Sequence, residues 1–209
     1  MIRSLPVALI LSGLALPVAA QELTVYGGAA LQFTAYPDSE TKSDLNGYVE
    51  LEFSGIYGGI WAETSSQSDA NEVDLYLGYR GEAGALSYDV SYTRYFYPND
   101  GGDCCGEVGL VLGYAVTEQV SLGTEFYVDP VNDTNSAYLT FDVSATDQLS
   151  ISGEYGTYDE GFGRFAEWDL GVGYALGEET SLELRYYKGE EYDGYVRLQL
   201  AWDTTILPR

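Results

Sequence analysis

Carboxylates spaced two residues apart are the side chains of this sequence best placed to do chemistry. Glu50 and Glu52, Glu72 and Asp74, and Glu167 and Asp169 each set two acids on one face of an extended segment. Asp89, Glu107, Glu125, Asp142, Glu154 and Glu183 occupy the same parity in other stretches. Two facing carboxylates can cleave a glycosidic bond, one as acid and one as base or nucleophile. Here so many acids share the pattern that a hydrated, acid-lined wall is the better reading, and no catalytic residue is assigned. The chain has no histidine. Imidazole-based nucleophilic and acid–base schemes are therefore excluded. Against the acids, the same parity carries Arg80, Arg185 and Arg197.

Other candidate motifs are weaker. Gly161-Phe162-Gly163 lacks the strand-to-helix setting of a phosphate loop. The stretch Asp129 to Asn135 has oxygen ligands without the spacing of a calcium loop and reads as a solvated connection. Cys104 and Cys105 are adjacent, and no His or second cysteine pair completes a metal set. They read as a vicinal disulfide or as two exposed thiols, and in neither form could they staple distant parts of the chain. No metal and no cofactor is expected.

The elements that must position these acids have a period of two. In residues 107–129, Val108, Leu110, Leu112, Tyr114 and Val116 alternate with Glu107, Gly109, Val111, Gly113 and Ala115. After Thr117-Glu118-Gln119, the residues Val120, Leu122, Thr124, Phe126 and Val128 alternate with Ser121, Gly123, Glu125 and Tyr127. One face is aliphatic and the other is glycine, serine and carboxylate. Similar stretches are expected at 23–36, 45–54, 56–63, 71–80, 85–97, 136–145, 148–158, 164–176, 180–188 and 194–203. That makes about twelve strands joined by alternating short and longer connections, the pattern of an up-and-down barrel. The hairpin around Thr117 is echoed at Gly173 to Leu182, as hairpin repetition would require. Inward glycines such as Gly109, Gly113, Gly123, Gly171 and Gly173 would leave room in the bore.

Address and charge narrow the setting. Arg3, the apolar run Leu5 to Leu16 and Val18-Ala19-Ala20 form a secretory signal, so 1–20 is expected to be a signal peptide and 21–209 one barrel domain. No later apolar run is long enough for a transmembrane helix. A membrane location therefore requires a closed barrel. The formal net charge is −24, from 9 basic and 33 acidic residues. Such a chain is unsuited to nucleic acid and suited to cations. On the apolar parity, Tyr79, Tyr88, Tyr114, Tyr174 and Trp202 fall near one set of strand ends. Phe96, Phe126, Tyr155, Trp168 and Tyr186 fall toward the other. Two aromatic belts with Leu, Val and Ile between them fit the two headgroup levels of a bilayer.

A family resemblance rests on Ser54-Gly55-Ile56-Tyr57-Gly58-Gly59-Ile60-Trp61-Ala62 and on Glu72-Val73-Asp74-Leu75-Tyr76-Leu77-Gly78-Tyr79. Ser87-Tyr88-Asp89-Val90, Tyr95-Phe96-Tyr97-Pro98 and Glu107-Val108 continue it. With these motifs the segment resembles the TorF-like porin family, aromatic-rich outer-membrane proteins of proteobacteria. The resemblance implies a barrel and a pore, and it supplies no substrate and no catalytic residue. Phe33-Thr34-Ala35-Tyr36 departs from the aromatic-Arg-Gly stretch of that family, and the chain runs past Trp202 to Arg209.

The sequence thus predicts an all-β, antiparallel transmembrane β-barrel in the outer membrane of a Gram-negative bacterium. It is expected to be a monomer in lipid and lipopolysaccharide, acting as a narrow passive channel for small solutes with a preference for cations. The rival readings are a non-conducting barrel whose acidic loops bind divalent cations, and a soluble periplasmic binding barrel. An enzyme is not expected.

Overall fold

The computed structural model describes residues 23–66 and 71–208, and the expected signal peptide lies outside them. The strands are β1 (Thr24–Ala35), β2 (Lys42–Phe53), β3 (Ile56–Ser65), β4 (Glu72–Ala83), β5 (Leu86–Tyr97) and β6 (Gly102–Ala115). They continue with β7 (Val120–Asp129), β8 (Thr134–Ser144), β9 (Leu149–Asp159), β10 (Arg164–Ala175), β11 (Thr180–Gly189) and β12 (Tyr195–Leu207). Each strand pairs antiparallel with its sequence neighbours, and β1 pairs with β12 to close the barrel. Closure leaves no strand edge unpaired, so every ladder group has a partner inside the wall.

The two faces sort as the alternation requires. Leu45, Val49 and Leu51 on β2, Leu75 and Leu77 on β4, and Leu184, Leu198 and Leu200 on β11 and β12 all point outward and are exposed. Gln32, Asp44, Asp74, Glu107, Asp169 and Arg185 point inward and are buried. The exterior is a continuous apolar band, a surface that hydrocarbon wets and water does not. A soluble barrel would need the opposite arrangement.

One end of the barrel carries both strand termini of the closing seam and the tightest turns, Ser54-Gly55 and Gly84-Ala85. We call it the turn end and the opposite one the loop end. Ser54, Gly55 and Gly84 all have positive φ, which is what a two-residue hairpin twist demands. The length contrast between the ends is smaller than the sequence implies. β6 starts at Gly102 and β8 at Thr134, so polar residues expected in loops extend the ladder instead. At the turn end β4 continues through Glu82 to Ala83, and β12 runs to Leu207 rather than stopping near Asp203.

The inward glycines do not leave open space. They seat aromatic rings from the strand next door. Gly59 lies opposite Tyr76 and Gly78 opposite Tyr57, and each ring covers the facing glycine. Tyr127 covers Gly109, Tyr138 covers Gly156 and Tyr48 covers Gly28, again in directly opposed pairs. Arg185 does the same over Gly171. Gly113, Gly123 and Gly173 face the hydroxyls of Ser87, Thr140 and Ser150. A Cβ at Gly109 would sit 3.0 Å from the Tyr127 ring and 2.8 Å from Ser91 Oγ, so the ring lies against the wall because no side chain holds it off.

Three outcomes follow from this wall. Gly59→Val should displace Tyr76 and lower stability by about 1–3 kcal/mol, the usual cost of overpacking. Gly177→Ala, in a turn with open space at its Cβ, should change little. Leu184→Arg on the outer face should cost about 2–4 kcal/mol if that position lies near the bilayer midplane. Urea titration of heat-modifiable gel mobility in reconstituted vesicles reads all three.

Candidate functional site

The candidate site is the inner wall. Glu50, Glu52, Glu72, Asp74, Arg80, Asp89, Glu107 and Glu125 all lie on the inward face and are buried or half-buried, and so do Asp142, Glu154, Glu167, Asp169, Glu183, Arg185 and Arg197. The sequence parity therefore places them together on one surface. Glu63 shares that surface, opposite both Asn46 and Glu72.

Two of the inward arginines are already neutralised. On the turn-end half of β4, Arg80 pairs with Glu50 and, at 3.1 Å, with Glu52. Its guanidinium lies 4.0 Å from the centre of the Tyr57 ring. Tyr57 in turn donates to Asp89 at 2.6 Å. Midway along β11, Arg185 pairs with Asp169 and, at 2.9 Å, with Glu183, and also donates to Ser152. Arg185 stands directly opposite Arg197, so the two carboxylates also screen one guanidinium from the other. Arg197 makes no ion pair among the described residues. It donates to Thr34 Oγ1 at 3.3 Å and lies 5.2 Å from the Tyr187 ring.

Four more of the acids are held by phenols. Tyr95 donates to Glu107 at 2.9 Å, Tyr97 to Glu72 at 2.9 Å and Tyr127 to Glu125 at 2.6 Å. Tyr138 and Tyr192 both donate to Glu167, at 2.7 and 3.1 Å. A phenol donor satisfies a carboxylate without cancelling its charge. Glu125, Asp142, Glu154 and Glu167 make no ion pair among the described residues, and Glu154 stands directly opposite Asp169. As to the acid pair considered for hydrolysis, Asp169 is tied to Arg185 and Glu167 to two tyrosines.

These inward tyrosines are what the sequence reading passed over. Tyr48, Tyr76 and Tyr127 sit on the acidic parity, and the signal was the recurrence of Tyr and Gly there. The aromatics expected on the apolar parity face outward. Tyr79 packs on Tyr88 at 6.0 Å near the turn end, and Trp168 on Tyr186 at 5.5 Å nearer the loop end. Tyr114, Tyr174 and Trp202 are exposed at the turn end, and Phe126 and Tyr155 toward the loop end. Phe96 faces outward near the loop end, half-buried at the Tyr95/Phe96 register shift.

At the loop end a second aromatic group gathers on the inward face. Tyr187 and Tyr195 stack at 4.7 Å, and Tyr36 and Tyr192 pack on Tyr195 at 5.0 and 5.7 Å. Tyr195 is 1% exposed, so the group is closed upon itself. Tyr192 reaches it from the connection between β11 and β12. Burial and the Glu167 carboxylate push the Tyr192 phenol well above its ordinary range, which keeps it a donor. Cys104 and Cys105 form a vicinal disulfide in β6, where the ladder with β5 shifts register. Cys105 packs on Tyr95 and Tyr97. Asp129 orders the connection after β7 by accepting from the Val131 and Asn132 amides at 2.8 and 3.2 Å. Among the described residues no cluster of His, Cys, Asp and Glu could hold a metal ion.

No family model and no curated protein sequence matches the chain. Solved structures do. The KdgM porin matches with a TM-score of 0.67 at 10% identity, covering 84% of this chain and 98% of its own. The NanC porin matches with a TM-score of 0.63 at 10% identity, covering 89% and 100%. The Acinetobacter baumannii outer membrane protein Omp33 gives 0.56 at 10% identity, covering 89% and 100%. At such identities the likeness is one of fold, and the fold is the closed, antiparallel, twelve-strand barrel of small outer-membrane porins.

Proposed function

We propose that this protein is an outer-membrane porin whose bore passes small solutes passively and prefers cations. The observation that carries this reading is the charge balance of the inner wall. Arg80 and Arg185 are spent on Glu50, Glu52, Asp169 and Glu183, while Glu125, Asp142, Glu154 and Glu167 make no ion pair among the described residues. A carboxylate-lined passage concentrates cations and repels anions. The KdgM porin has been solved in complex with disordered oligogalacturonate, a polyanion. The wall described here disfavours a ligand of that charge, so the shared fold is put to a different selectivity. The solutes we assign are small cations and neutral or cationic organic molecules, in a monomeric barrel delivered by the signal peptide at 1–20. The pore-lining residues are those of the acidic parity, and the outward aromatics form the two headgroup belts.

A second reading is a sealed, structural barrel. The closed tyrosine group at the loop end, with Tyr192 anchored to Glu167, favours it.

Planar-bilayer recordings separate the two. The wild type should conduct, with a reversal potential in a salt gradient displaced toward the cation's Nernst potential. Replacing Glu125, Glu154 and Glu167 together by Gln should reduce cation preference severalfold. Lowering pH through the carboxylate range, about 4 for free side chains, should do the same by protonating the wall. Tyr192→Ala should raise unitary conductance. Insertion without conductance in both wild type and Tyr192→Ala would favour the sealed barrel, and anion preference would overturn the first reading.

A further inference from the structure

Near the loop end, β6 breaks the alternation of the wall. As far as Cys105 it keeps step with β5: Arg94 opposes Gly106 and Tyr95 opposes Cys105. Beyond that the count changes, for Phe96 opposes Asp103 and Tyr97 opposes Gly102. Cys104 is the extra residue, a bulge that no β5 residue faces. The disulfide accounts for the bulge. Successive side chains of a strand point to opposite faces. The sulfurs of Cys104 and Cys105 are bonded to each other, so these two side chains cannot. The residues between the bulge and the β5–β6 connection therefore change face. In an unbroken ladder Asp103 would stand inward, on the parity of Cys105 and Glu107, opposite Tyr97. It instead opposes the outward Phe96, and the outward Arg94 donates to both of its carboxylate oxygens, at 2.6 Å and 2.6 Å.

The two sulfur-bearing residues differ in access. Cys104 is exposed, whereas Cys105 is 2% exposed and packs on Tyr95 and Tyr97. Those tyrosines hold Glu107 and Glu72 on the inner wall. The connection beside them has room to move. Gly101 and Gly102 have φ of +83° and +85°, with open space where a Cβ would stand. Glycines in that conformation let the connection take in one more residue without a collision.

We propose that Cys104–Cys105 is a thiol-exchange site that sets the register of β6 and, through it, the face on which Asp103 stands. The thiolate of a small thiol attacks Cys104 Sγ, the accessible sulfur. The Cys104–Cys105 bond breaks as the mixed disulfide forms, and Cys105 Sγ leaves as a thiolate that takes a proton from water. A second thiolate then attacks the reductant's sulfur and releases Cys104 as a thiolate, which is protonated in turn. Two thiols are thus oxidised to one disulfide for each protein disulfide reduced. With the bond gone, Cys104 turns outward opposite Phe96, and Asp103 turns inward opposite Tyr97, on the face that carries Glu72. The oxidised protein holds this carboxylate outside on Arg94, and the reduced protein adds it to the inner wall. The register change stands on the β5–β6 ladder alone, and its effect on ions rests on the porin reading.

Nuclear magnetic resonance of the full-length mature barrel in detergent micelles reads the register directly, with heat-modifiable mobility confirming that each form is folded. Oxidised wild type should show a cross-strand contact between Phe96 and Asp103. After dithiothreitol, a contact between Tyr97 and Asp103 should replace it. Cys104→Ser combined with Cys105→Ser should show the reduced pattern with or without reductant. Arg94→Gln should keep the oxidised register, because the disulfide and not the ion pair holds it. Glutathione, trapped by acid before the second exchange, should be found on Cys104 by mass spectrometry. In planar bilayers, reduction should raise the cation-to-anion permeability ratio about twofold, and Asp103→Asn should abolish the rise. Unchanged contacts in both the reduced wild type and the double variant would overturn the switch. A disulfide that survives dithiothreitol in the folded barrel, or glutathione on Cys105, would overturn the exchange site. A moved register with unchanged selectivity would overturn the effect on the bore. A barrel that conducts in neither state contradicts the porin reading, and the resonance contacts still decide the register.

Discussion

The pairing of β1 with β12 is the constraint on which the rest of this structure depends. A backbone amide or carbonyl left unbonded in hydrocarbon costs several kcal/mol. A ribbon of twelve strands therefore crosses a bilayer only if its first and last strands meet. Here they meet over almost their full length, from Val25 with Leu207 to Ala35 with Val196. Once the wall is closed, each side chain has one of two destinations. The parity of every strand must agree with that of its neighbours, since a slip of one residue would turn a whole leucine face into the bore. Apart from the shifts at Val25/Tyr26 and Tyr95/Phe96, the registers show this agreement: Leu31 opposes Leu45 and Leu200, and Gln32 opposes Asp44 and Gln199.

Closure also creates the problem that the tyrosines solve. A wall curved this tightly crowds its inner face, and long inward side chains from adjacent strands would collide. Pairing Tyr with Gly across the ladder lets the ring lie flat along the wall. Tyr57 and Tyr76 do this reciprocally with Gly78 and Gly59. The hydroxyl then emerges beside a carboxylate, as Tyr57 does at Asp89 and Tyr138 at Glu167. The same residue thereby thins the wall, stiffens it and satisfies an acid. A phenol donor satisfies the acid without bringing a counter-charge to the wall.

How much of this was legible in the sequence depends on the range of the signal. The strands and the direction of each face were readable because a period of two is local: Val49, Leu51 and Phe53 against Glu50 and Glu52 is visible within five residues. The inward candidates from Glu50 to Arg197 were readable for the same reason. Strand ends were less so. Gly102 and Thr134 lie in polar stretches and are strand only because β5 and β7 offer them partners. The seating of rings on glycines was not readable at all, since it depends on which residues oppose one another, and register is a property of two strands. Gly109 and Gly171 look like empty space until Tyr127 and Arg185 are placed against them. The mouth group joins Tyr36 to Tyr195 across the seam, between the first and last strands, and no local pattern announces it.

The scarcity of basic residues gives the charge arrangement its meaning. Among the described residues, Arg80, Arg185 and Arg197 face the bore, while Lys42, Arg94, Arg164 and Lys188 all stand at the loop end. None faces outward at the turn end. A cation on the outer band would be costly in hydrocarbon, so the rim is where outward cations can stand. Inside, an arginine left free would oppose the carboxylates around it, and the two deepest are bound by two acids each. Arg197, nearest the mouth, is instead sheltered by Tyr187 and Tyr195. Positive charge on the described residues is thus confined to ion-paired sets on the inner wall, an aromatic shelter near the mouth where Lys42 also stands over Tyr36, and the outward Arg94, Arg164 and Lys188 at the loop end.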